Sequence, residues 1–362
     1  MKLAIIGCGY WGPNLIRNFC QSKRVIELIC CDLDQKRLDR MKSLYPTIAV
    51  LTNYEELLER QDLDAVVIAT PAKSHYPIAK DFLSHDKHVF IEKPLTHSCE
   101  TSLELIKLAE EKKKILMVGH TFEYTSAVNK IKTIVESGEL GKILYIHSIR
   151  VNLGLFQPDI NVVWDLAPHD ISTILYLTGE LPASVNCQGK AHFNLNIEDV
   201  ATTTLNFKNG LIAFLHTSWL DPNKIRKTTI VGTRKMLVYD DIETQEKIKI
   251  YDKGVEVPPY YDTYEEFQYA YRYGNIFSPR IEEYEPLKME CEHFLDCILK
   301  KRTPLTDGYS GLRVVSILEA ANKSLKQSGK AIQIQNHKIK TQQPPAKAGG
   351  LKLRTESPDT GR

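Results

Sequence analysis

The chain has 362 residues, of which 43% are hydrophobic and 25% are charged, a balance typical of a globular protein with a sizeable core. Lysine plus arginine total 47 and aspartate plus glutamate total 45, so the net charge is +2. This balance excludes the strongly basic composition of a protein that binds nucleic acid or a membrane surface. The initial apolar run is too short for a signal peptide, and no segment approaches the roughly 18 apolar residues of a membrane span.

The 8 cysteines are scattered along the sequence. They form no CxxC pair and no Cys/His pattern at zinc-site spacing, so we expect no metal site. Free thiols of this kind are typical of a reducing compartment, and the cytoplasm is the expected location.

The first third of the chain alternates short apolar runs with amphipathic segments, the pattern of a parallel sheet with crossover helices. The run 64–70 is almost wholly apolar, as a strand covered on both faces should be. Thr52–Glu55 resembles a capping box and predicts a helix with Leu57 and Leu58 turned inward. We therefore predict an α/β fold with a doubly wound Rossmann sheet. Its strands are expected at 3–6, 25–31, 64–70, 88–91 and 115–118, and its helices at 12–20, along Leu38, Met41 and Leu44, after Thr52, and at 99–112.

After residue 122 the pattern changes to that of an α+β domain. A helix at 126–137 precedes a strand at 143–151, and another helix is expected to begin near Asp165. From Val200 onward apolar and polar residues alternate, and Asn209-Gly210 between two such runs predicts a hairpin. We expect a mainly antiparallel, open-faced sheet, with further strands at 228–231 and 236–239 and closing helices at 286–299 and 311–325.

Two segments have no clear period. Residues 336–362 contain Pro-Pro and Gly-Gly pairs and are predicted to form a disordered tail. A second stretch is rich in tyrosine, and the sequence leaves open whether it is a lid over a ligand or a subunit arm. Its tyrosines are Tyr260, Tyr261, Tyr264, Tyr269, Tyr271 and Tyr273. The predicted division is thus 1–121, 122–335 and the tail 336–362.

Gly7, Gly9 and Gly12 form a GxGxxG motif between the first predicted strand and helix, in a loop that also contains Tyr10 and Trp11. The first glycine permits a tight turn, the second lets the backbone approach a pyrophosphate, and the third lets helix and strand pack closely. Phosphate then lies at the helix N-terminus, where free N–H groups favour negative charge. The motif predicts a dinucleotide site.

Asp32 lies 20 residues after Gly12, at the end of the second predicted strand. An acid there accepts hydrogen bonds from the ribose hydroxyls and repels a 2′-phosphate, which favours NAD over NADP. The alternative for Asp32 is a solvated loop residue, and Arg37 nearby keeps NADP open. Methyltransferases use a related glycine loop and acid, so this half of the chain alone leaves the chemistry open.

Two later motifs favour a redox reaction. Glu92-Lys93-Pro94 follows the strand at 88–91, at the sheet edge where open α/β folds bind ligands. The segment 164–170 (WDLAPHD) opens a helix of the second domain. With Pro168 in its first turn, Asp165 is the expected N-cap, and Asp165 and His169 face the same way.

Removal of a hydride from a carbinol requires a base for the hydroxyl proton, and a histidine suits neutral pH. We predict that His169 is this base, that Asp165 orients its ring, and that Lys93 stabilises the alkoxide and shuttles protons. Singly, Lys93 is consistent with a surface charge and His169 with a structural helix-start residue. Because both occur in a chain that begins with a dinucleotide motif, they are candidate catalytic residues.

These motifs together resemble those of the glucose–fructose oxidoreductase/inositol dehydrogenase/MocA family, from Lys2 to about Ile334. The resemblance implies the two-domain architecture, a homodimer or homotetramer formed through the open face of the second sheet, and NAD(P)-dependent chemistry at a sugar or cyclitol hydroxyl. The cofactor contacts expected from it, besides the glycine loop and Asp32, are Thr70, Pro71, His75, Glu92, Lys93 and His120.

Within the family, the segments 9–15 and 164–170 resemble the nucleotide-sugar 3-dehydrogenases. Those enzymes oxidise the 3-hydroxyl of a UDP-N-acetylhexosamine or of its uronic acid. For such a substrate, Lys224 and Arg226 at a predicted strand end are expected beside the diphosphate, with Lys93, Asp165 and His169 at the sugar. A solvated basic turn is the alternative for Lys224 and Arg226.

Two other functions remain open. A free-sugar or myo-inositol dehydrogenase would have no need for a basic diphosphate clamp. A non-catalytic NAD(P)-binding sensor should have lost Lys93 or His169, and this chain keeps both. Cys99 as the nucleophile of a semialdehyde dehydrogenase is set aside, because no glycine-flanked thiol motif surrounds it.

Overall fold

The first sheet of the computed structural model, which describes residues 1–256 and 270–335, is six-stranded and parallel. The strand order is β3-β2-β1-β4-β5-β6, the doubly wound arrangement predicted from the sequence. Its strands are β1 (Lys2–Ile6), β2 (Glu27–Cys31), β3 (Ala49–Leu51), β4 (Ala65–Ile68), β5 (His88–Glu92) and β6 (Leu116–Gly119). Its helices are α1 (Gly12–Gln21), α2 (Gln35–Leu44), α3 (His75–Ser84) and α4 (Cys99–Lys112).

Three details of this sheet differ from the prediction. The short edge strand β3 was not predicted. The helix expected after Thr52 is only a 3-10 turn, Tyr54–Leu57, in which the Asn53 side chain accepts from Glu55 N; the chain must then return to the start of β4. Leu44, the last residue of α2, is exposed because it lies about 120° around the helix from buried Leu38.

The second sheet is nine-stranded, with the order β14-β13-β12-β11-β7-β10-β9-β8-β15. The pairing of β7 with β10 is parallel, and the other pairings are antiparallel. The predicted hairpin is confirmed, because β9 and β10 pair around Gly210, whose φ is +87°. The strands are β7 (Ile143–Leu153), β8 (Ser184–Lys190), β9 (Val200–Asn206), β10 (Ile212–Ser218), β11 (Leu220–Gly232), β12 (Met236–Asp240), β13 (Ile248–Glu256), β14 (Ala270–Phe277) and β15 (Ile332–Gln333).

In the part of the chain that the structure describes, four helices follow β6. They are α5 (Ser126–Glu136), α6 (Val162–Thr178), α7 (Pro286–Lys300) and α8 (Gly308–Leu325). No helix in the described ranges 1–256 and 270–335 is long and apolar enough to cross a membrane. The predicted tail and the tyrosines at 260–269 lie outside these ranges, whereas Tyr271 and Tyr273 lie on β14 with exposed side chains.

Helix α6 begins earlier than predicted. Its N-cap is Asn161, whose side chain accepts a hydrogen bond from Trp164 N at 3.2 Å. The prediction of Asp165 as the N-cap is therefore wrong, and Pro168 lies inside the helix rather than in its first turn. A proline there removes one bond to the carbonyl four residues earlier, and the tertiary packing of α6 overrides this local penalty.

Helix α7 packs on the first sheet, although it follows the second sheet in the chain. Its residues Cys291 and Phe294 share a core with Leu3, Ile5 and Phe90. The rings of Phe90 and Phe294 lie 5.5 Å apart between centroids. A helix that follows the second sheet in the chain thus covers one face of the first sheet.

Candidate active site

The glycine loop after β1 is shaped for a dinucleotide. Gly7 has φ +102°, and a Cβ there would lie 2.7 Å from Ala69 O. A Cβ on Gly12 would lie 2.0 Å from Gly7 O, so both positions require glycine for packing. A Cβ on Gly9 would meet only Arg37 Nη1, at 3.6 Å. The second glycine therefore faces open space, as close approach by a phosphate requires.

The end of helix α1 that faces this space is available to an anion. Its N-cap, Trp11, makes no side-chain capping hydrogen bond, so the first N–H groups of α1 have no side-chain acceptor there. Tyr10 is 90% exposed and lines a cleft together with Gly9, Arg37 and Arg40. This cleft combines a helix N-terminus with two cationic side chains.

Asp32 follows β2, as predicted, but its carboxylate is bound to the protein backbone. Its Oδ2 accepts a hydrogen bond from Cys8 N at 2.6 Å, and its Oδ1 accepts one from Asp34 N at 2.9 Å. Arg37 Nη1 lies 3.6 Å from Oδ2. The Asp32 side chain is only 8% exposed. Asp32 thus fixes the glycine loop, and Arg37 is the more exposed charge at this point.

His75 joins the loops that follow β4 and β5. Its Nε2 lies 2.9 Å from Thr70 O and its Nδ1 lies 2.8 Å from Pro94 O. Burial lowers the pKa of His75 to about 4, so the neutral ring donates to one of these carbonyls at a time. Pro71 begins the turn between Thr70 and His75, and its carbonyl accepts from Ser74 N. His75 therefore links the two loops through one hydrogen bond at a time.

Lys93 and Asp165 meet between the first sheet and α6. Lys93 Nζ donates to the backbone carbonyl of Asp165 at 3.1 Å and lies 3.9 Å from its Oδ1. Asp165 Oδ2 accepts a hydrogen bond from Trp219 Nε1 at 3.0 Å. Among the described residues no hydrogen bond joins the Asp165 carboxylate to the His169 ring. The carboxylate expected to orient the histidine is instead held by the lysine and an indole.

His169 has a different set of neighbours. The centroids of the His169 and Phe122 rings lie 4.9 Å apart, and Arg150 Cζ lies 4.6 Å from the centroid of the same Phe122 ring. His169 Nδ1 is buried without a hydrogen-bond partner. Burial, followed by the charges of Lys93 and Arg150, lowers the pKa of His169 well below its usual value. The ring is therefore neutral at physiological pH, and its buried surroundings disfavour the protonated form.

Glu92 and His120 are buried at the ends of β5 and β6. Glu92 Oε2 accepts a hydrogen bond from Lys93 N at 3.3 Å, and Oε1 has no partner. The Trp11 indole N–H faces this carboxyl without reaching hydrogen-bond geometry. Burial raises the pKa of Glu92 to about 7. His120 is 0% exposed with both ring nitrogens unpartnered, and burial lowers its pKa to about 3.

Arg226 and Lys224 lie within β11 rather than at a strand end, and only Arg226 is placed with the other candidates. Arg226 Nη1 lies 3.5 Å from Asp241 Oδ2, and its charge contributes to lowering the pKa of His169. It is opposite Arg150 in the pairing of β11 with β7. Lys224 is exposed, near a register shift between Leu220 and Ile225.

Sequence reasoning missed the buried pair of Arg150 and Asp170. Arg150 Nε and Nη2 donate to the two carboxylate oxygens of Asp170 at 2.7 and 3.1 Å. Asp170 also accepts from Ser148 Oγ at 2.9 Å. The position of Asp170 directly after His169 was a sequence signal for this residue. Its partner Arg150 lies on β7, and no spacing in the sequence connects the two.

Comparison with known proteins identifies the class. Residues 1–120 match an oxidoreductase family with an NAD-binding Rossmann fold, GFO/IDH/MocA, and residues 128–238 match the C-terminal domain of the same family. The chain belongs to the GFO/IDH/MocA oxidoreductase family. Among the residues that the structure describes, no group of three or more His, Cys, Asp or Glu side chains is arranged to hold a metal ion.

Individual relatives are more distant. The chain is 29% identical over 263 residues to the UDP-N-acetylglucosamine 3-dehydrogenase of Acidithiobacillus ferrooxidans, covering 70% of this chain and 76% of that one. It is 26% identical over 224 residues to 1-carboxy-3-chloro-3,4-dihydroxycyclo hexa-1,5-diene dehydrogenase of Comamonas testosteroni, covering 59% of this chain and 56% of that protein. The match thus spans little more than half of the Comamonas protein's length.

The fold is shared with solved structures. The crystal form P21 of the Acidithiobacillus ferrooxidans UDP-N-acetylglucosamine 3-dehydrogenase superposes with a TM-score of 0.75 at 24% identity, covering 91% of this chain and 98% of that one. At this identity the likeness defines the fold. The residues of the first sheet fit the NAD that the family binds, because the open space at Gly9 adjoins the uncapped start of α1.

Proposed function

We propose that the protein is an NAD-dependent dehydrogenase that moves a hydride between the nicotinamide and a hydroxyl-bearing carbon of a sugar. The observation that carries this proposal is the convergence of Lys93 from β5 with Asp165 from α6, beside a neutral His169. Lys93 directly follows β5, at the carboxyl edge of the sheet that carries the glycine loop, and contacts Asp165 there. When bound, NAD supplies the hydride acceptor.

The three side chains take distinct roles in this proposal. His169 accepts the hydroxyl proton, because its ring nitrogen Nδ1 has no hydrogen-bond partner and a neutral imidazole has a lone pair that can take a proton. Lys93 Nζ places positive charge where the alkoxide develops, and the Asp165 carbonyl fixes that ammonium group. Asp165 is itself held by Trp219, so the lysine is positioned by α6 and by the residue that joins β10 to β11.

For the substrate we propose a UDP-N-acetylhexosamine or its uronic acid, oxidised at C3. The UDP-N-acetylglucosamine 3-dehydrogenase named above supports this class, as does the position of Arg226 near His169. A guanidinium held by one carboxylate at 3.5 Å retains donors for a diphosphate. Lys224 is proposed as a weaker, exposed contribution to the same anion.

The test is to incubate the purified protein and NAD with a panel of UDP-sugars, free sugars and myo-inositol, and to follow the absorbance of reduced cofactor. Turnover of a UDP-N-acetylhexosamine with loss of activity in Arg226→Gln supports the proposal. Turnover of free sugars or inositol alone would favour the second candidate and remove the diphosphate clamp. Cofactor binding with no turnover of any panel member would favour the non-catalytic sensor. Glu100→Gln, an exposed change on α4, is the control.

A homodimer or homotetramer through the open face of the second sheet is part of this proposal. On β7 and β10, Ile146 and Leu215 are buried toward the helices, whereas Tyr145 and Phe214 face the other way. The centroids of the Tyr145 and Phe214 rings lie 6.4 Å apart, and Tyr145 is 38% exposed. We propose the cytoplasm as the location, consistent with eight cysteines that are all free thiols.

A further inference from the structure

Trp219 is a buried tryptophan whose indole reaches the candidate catalytic residues. It lies between β10 and β11 and is only 1% exposed. Its Nε1 donates to Asp165 Oδ2 at 3.0 Å, while Asp165 Oδ1 lies 3.9 Å from Lys93 Nζ. One carboxylate oxygen is therefore bound by the indole, and the other faces the lysine. The orientation of the indole thus determines how the Asp165 carboxylate lies relative to Lys93.

The loop between β7 and α6 encloses this indole at two points. A Cβ on Gly154 would lie 2.7 Å from Trp219 Cδ1, so the backbone there packs directly against the ring. Two residues further, the centroid of the Phe156 ring lies 5.4 Å from that of the Trp219 ring, at an interplanar angle of 53°. Gly154 N also donates to Trp219 O at 3.0 Å. The loop thus holds both the main chain and the side chain of Trp219.

A second loop, between β8 and β9, contacts Phe156. The Phe193 ring meets the Phe156 ring edge-on, with centroids 5.5 Å apart. Buried Asp199 fixes the turn that carries Phe193, because its Oδ2 accepts hydrogen bonds from His192 N at 2.7 Å and from Phe193 N at 3.2 Å. The backbone carbonyl of Asp199 accepts from Trp219 N at 2.9 Å. The turn that carries Phe193 and the main chain of Trp219 are therefore fixed by the same residue.

The two phenylalanines lie at the surface, although both belong to this aromatic contact. Phe156 is 42% exposed and Phe193 is 75% exposed. The loop that carries Phe156 also reaches the turn after β4, since Asp159 Oδ2 lies 3.7 Å from Lys73 Nζ. Substitutions at exposed positions usually change stability little. The effect of Phe156 on the buried indole can therefore be measured in a folded protein.

We propose that Phe156 is a positioning residue that acts through the Trp219 indole on Asp165, and that Phe193 supports it. With the Phe156 ring in place, the indole N–H is directed at Asp165 Oδ2 and holds the carboxylate in one orientation. Without this ring, the indole opens to water more often, and the carboxylate beside Lys93 is free to turn. The packing of Phe156 on Trp219 stands independently of the reaction, whereas the effect at Lys93 rests on the proposed dehydrogenase function.

The direct test is the hydrogen-exchange rate of the Trp219 indole N–H, measured by NMR on the full chain labelled with ¹⁵N-tryptophan. The chain has three tryptophans, and any two of the variants Trp11→Phe, Trp164→Phe and Trp219→Phe assign the three indole signals. Phe156→Ala should accelerate exchange at Trp219 at least about tenfold, because local opening becomes easier. An unchanged rate would overturn the positioning of the indole by Phe156.

Three further variants of the same loop make the exchange measurement specific. Phe156→Tyr keeps the ring and should keep the wild-type rate. Gly154→Ala places a Cβ against Trp219 Cδ1 and should accelerate exchange in the same direction as Phe156→Ala. Leu155→Ala is the matched control, because Leu155 lies between these two residues and is 78% exposed. Faster exchange in Leu155→Ala equal to that in Phe156→Ala would mean that the loop as a whole, and not the ring, acts on the indole.

The second readout is steady-state kinetics, with KM for NAD measured separately and expected to be unchanged. Trp219→Phe should lower kcat about tenfold, because it removes a hydrogen bond to a charged group. Phe156→Ala should lower kcat by less than this, and not at all in the Trp219→Phe background, since it acts through the lost N–H. Phe193→Ala should have a smaller effect than Phe156→Ala. Gly154→Ala serves as the background where Trp219→Phe does not fold.

Two kinetic outcomes would contradict the proposal. Multiplicative effects of Phe156→Ala and Trp219→Phe on kcat would overturn action through the indole. Faster exchange in Phe156→Ala with an unchanged kcat would overturn the effect at Lys93. Because hydrogen exchange needs neither cofactor nor substrate, these outcomes are distinct from failure of the proposed reaction.

Discussion

Lys93 Nζ donates to the backbone carbonyl of Asp165 at 3.1 Å, across the junction between the first sheet and α6. A main-chain acceptor survives substitution of the Asp165 side chain, whereas the carboxylate at 3.9 Å does not. The two contacts can therefore be separated experimentally.

The first prediction concerns Lys93 and His169 as a unit. Each single alanine variant should lower turnover by about 10²–10⁴-fold, the usual range for a positioned acid or base. The double variant should be far less impaired than the product of the two effects, because groups that act together are not additive. Steady-state kinetics measure all three variants. Near-normal turnover in His169→Ala would leave Lys93 as the acid–base residue, and NAD affinity of that variant should change little.

The second prediction separates the two possible partners of Asp165. Asp165→Asn should cost less than the loss of His169, because the backbone contact to Lys93 remains. Its effect should be largely absent in a Lys93→Ala background and retained in a His169→Ala background, since the carboxylate contacts the lysine and not the imidazole. A double-mutant cycle on kcat/KM measures this. Coupling to His169 instead of Lys93 would restore the orienting role predicted from the sequence.

The third prediction concerns the choice of cofactor. Titration calorimetry should show tighter binding of NAD than of NADP to the wild type, because Asp32 disfavours a 2′-phosphate. Asp32→Ala also removes the acceptor for Cys8 N, so it should weaken the binding of both cofactors. Arg37→Ala should weaken NADP more than NAD. Equal wild-type affinities for the two cofactors would contradict the assignment of Asp32.

The fourth prediction uses Glu123, whose pKa is raised to about 8 by burial. When the pKa of a carboxyl is higher in the folded state than in the unfolded state, its contribution to stability is fully present below the unfolded-state pKa. This contribution is lost as the pH rises through the folded-state pKa. Relative to wild type, Glu123→Gln should therefore gain stability between about pH 4.5 and 8, at up to about 1.4 kcal/mol per pH unit. Urea unfolding at several pH values measures the difference, and Glu100→Gln should show no such trend.

The fifth prediction is that residues 336–362 contribute neither to the fold nor to activity. A chain ending at Asn336 should keep the melting temperature and the turnover of the full chain, because the tail has no hydrophobic period. Thermal unfolding and the absorbance of reduced cofactor check the melting temperature and the turnover. A large loss in either would mean that the tail docks on the folded protein.

The sequence was most informative where local pattern decides structure. The glycine loop, five of the six strands of the first sheet and the hairpin at Gly210 follow from spacing and turn chemistry. The start of α6 did not, because tertiary packing allows Pro168 inside the helix. Lys93, Asp165 and His169 were found from motifs. Their actual contacts depend on Trp219 and Phe122, which lie on other elements and have no spacing signal.

The position of α7 has a consequence for biosynthesis. A ribosome delivers the first sheet before any residue of α7 exists, so the face that carries Phe90 is uncovered during most of translation. An apolar sheet face in that state is a substrate for chaperones and for aggregation. Chains that terminate before residue 286 never acquire this cover, and we expect them to be degraded or insoluble even when their dinucleotide motif is intact. The nucleotide-binding half therefore escapes degradation only after the ribosome has synthesised α7.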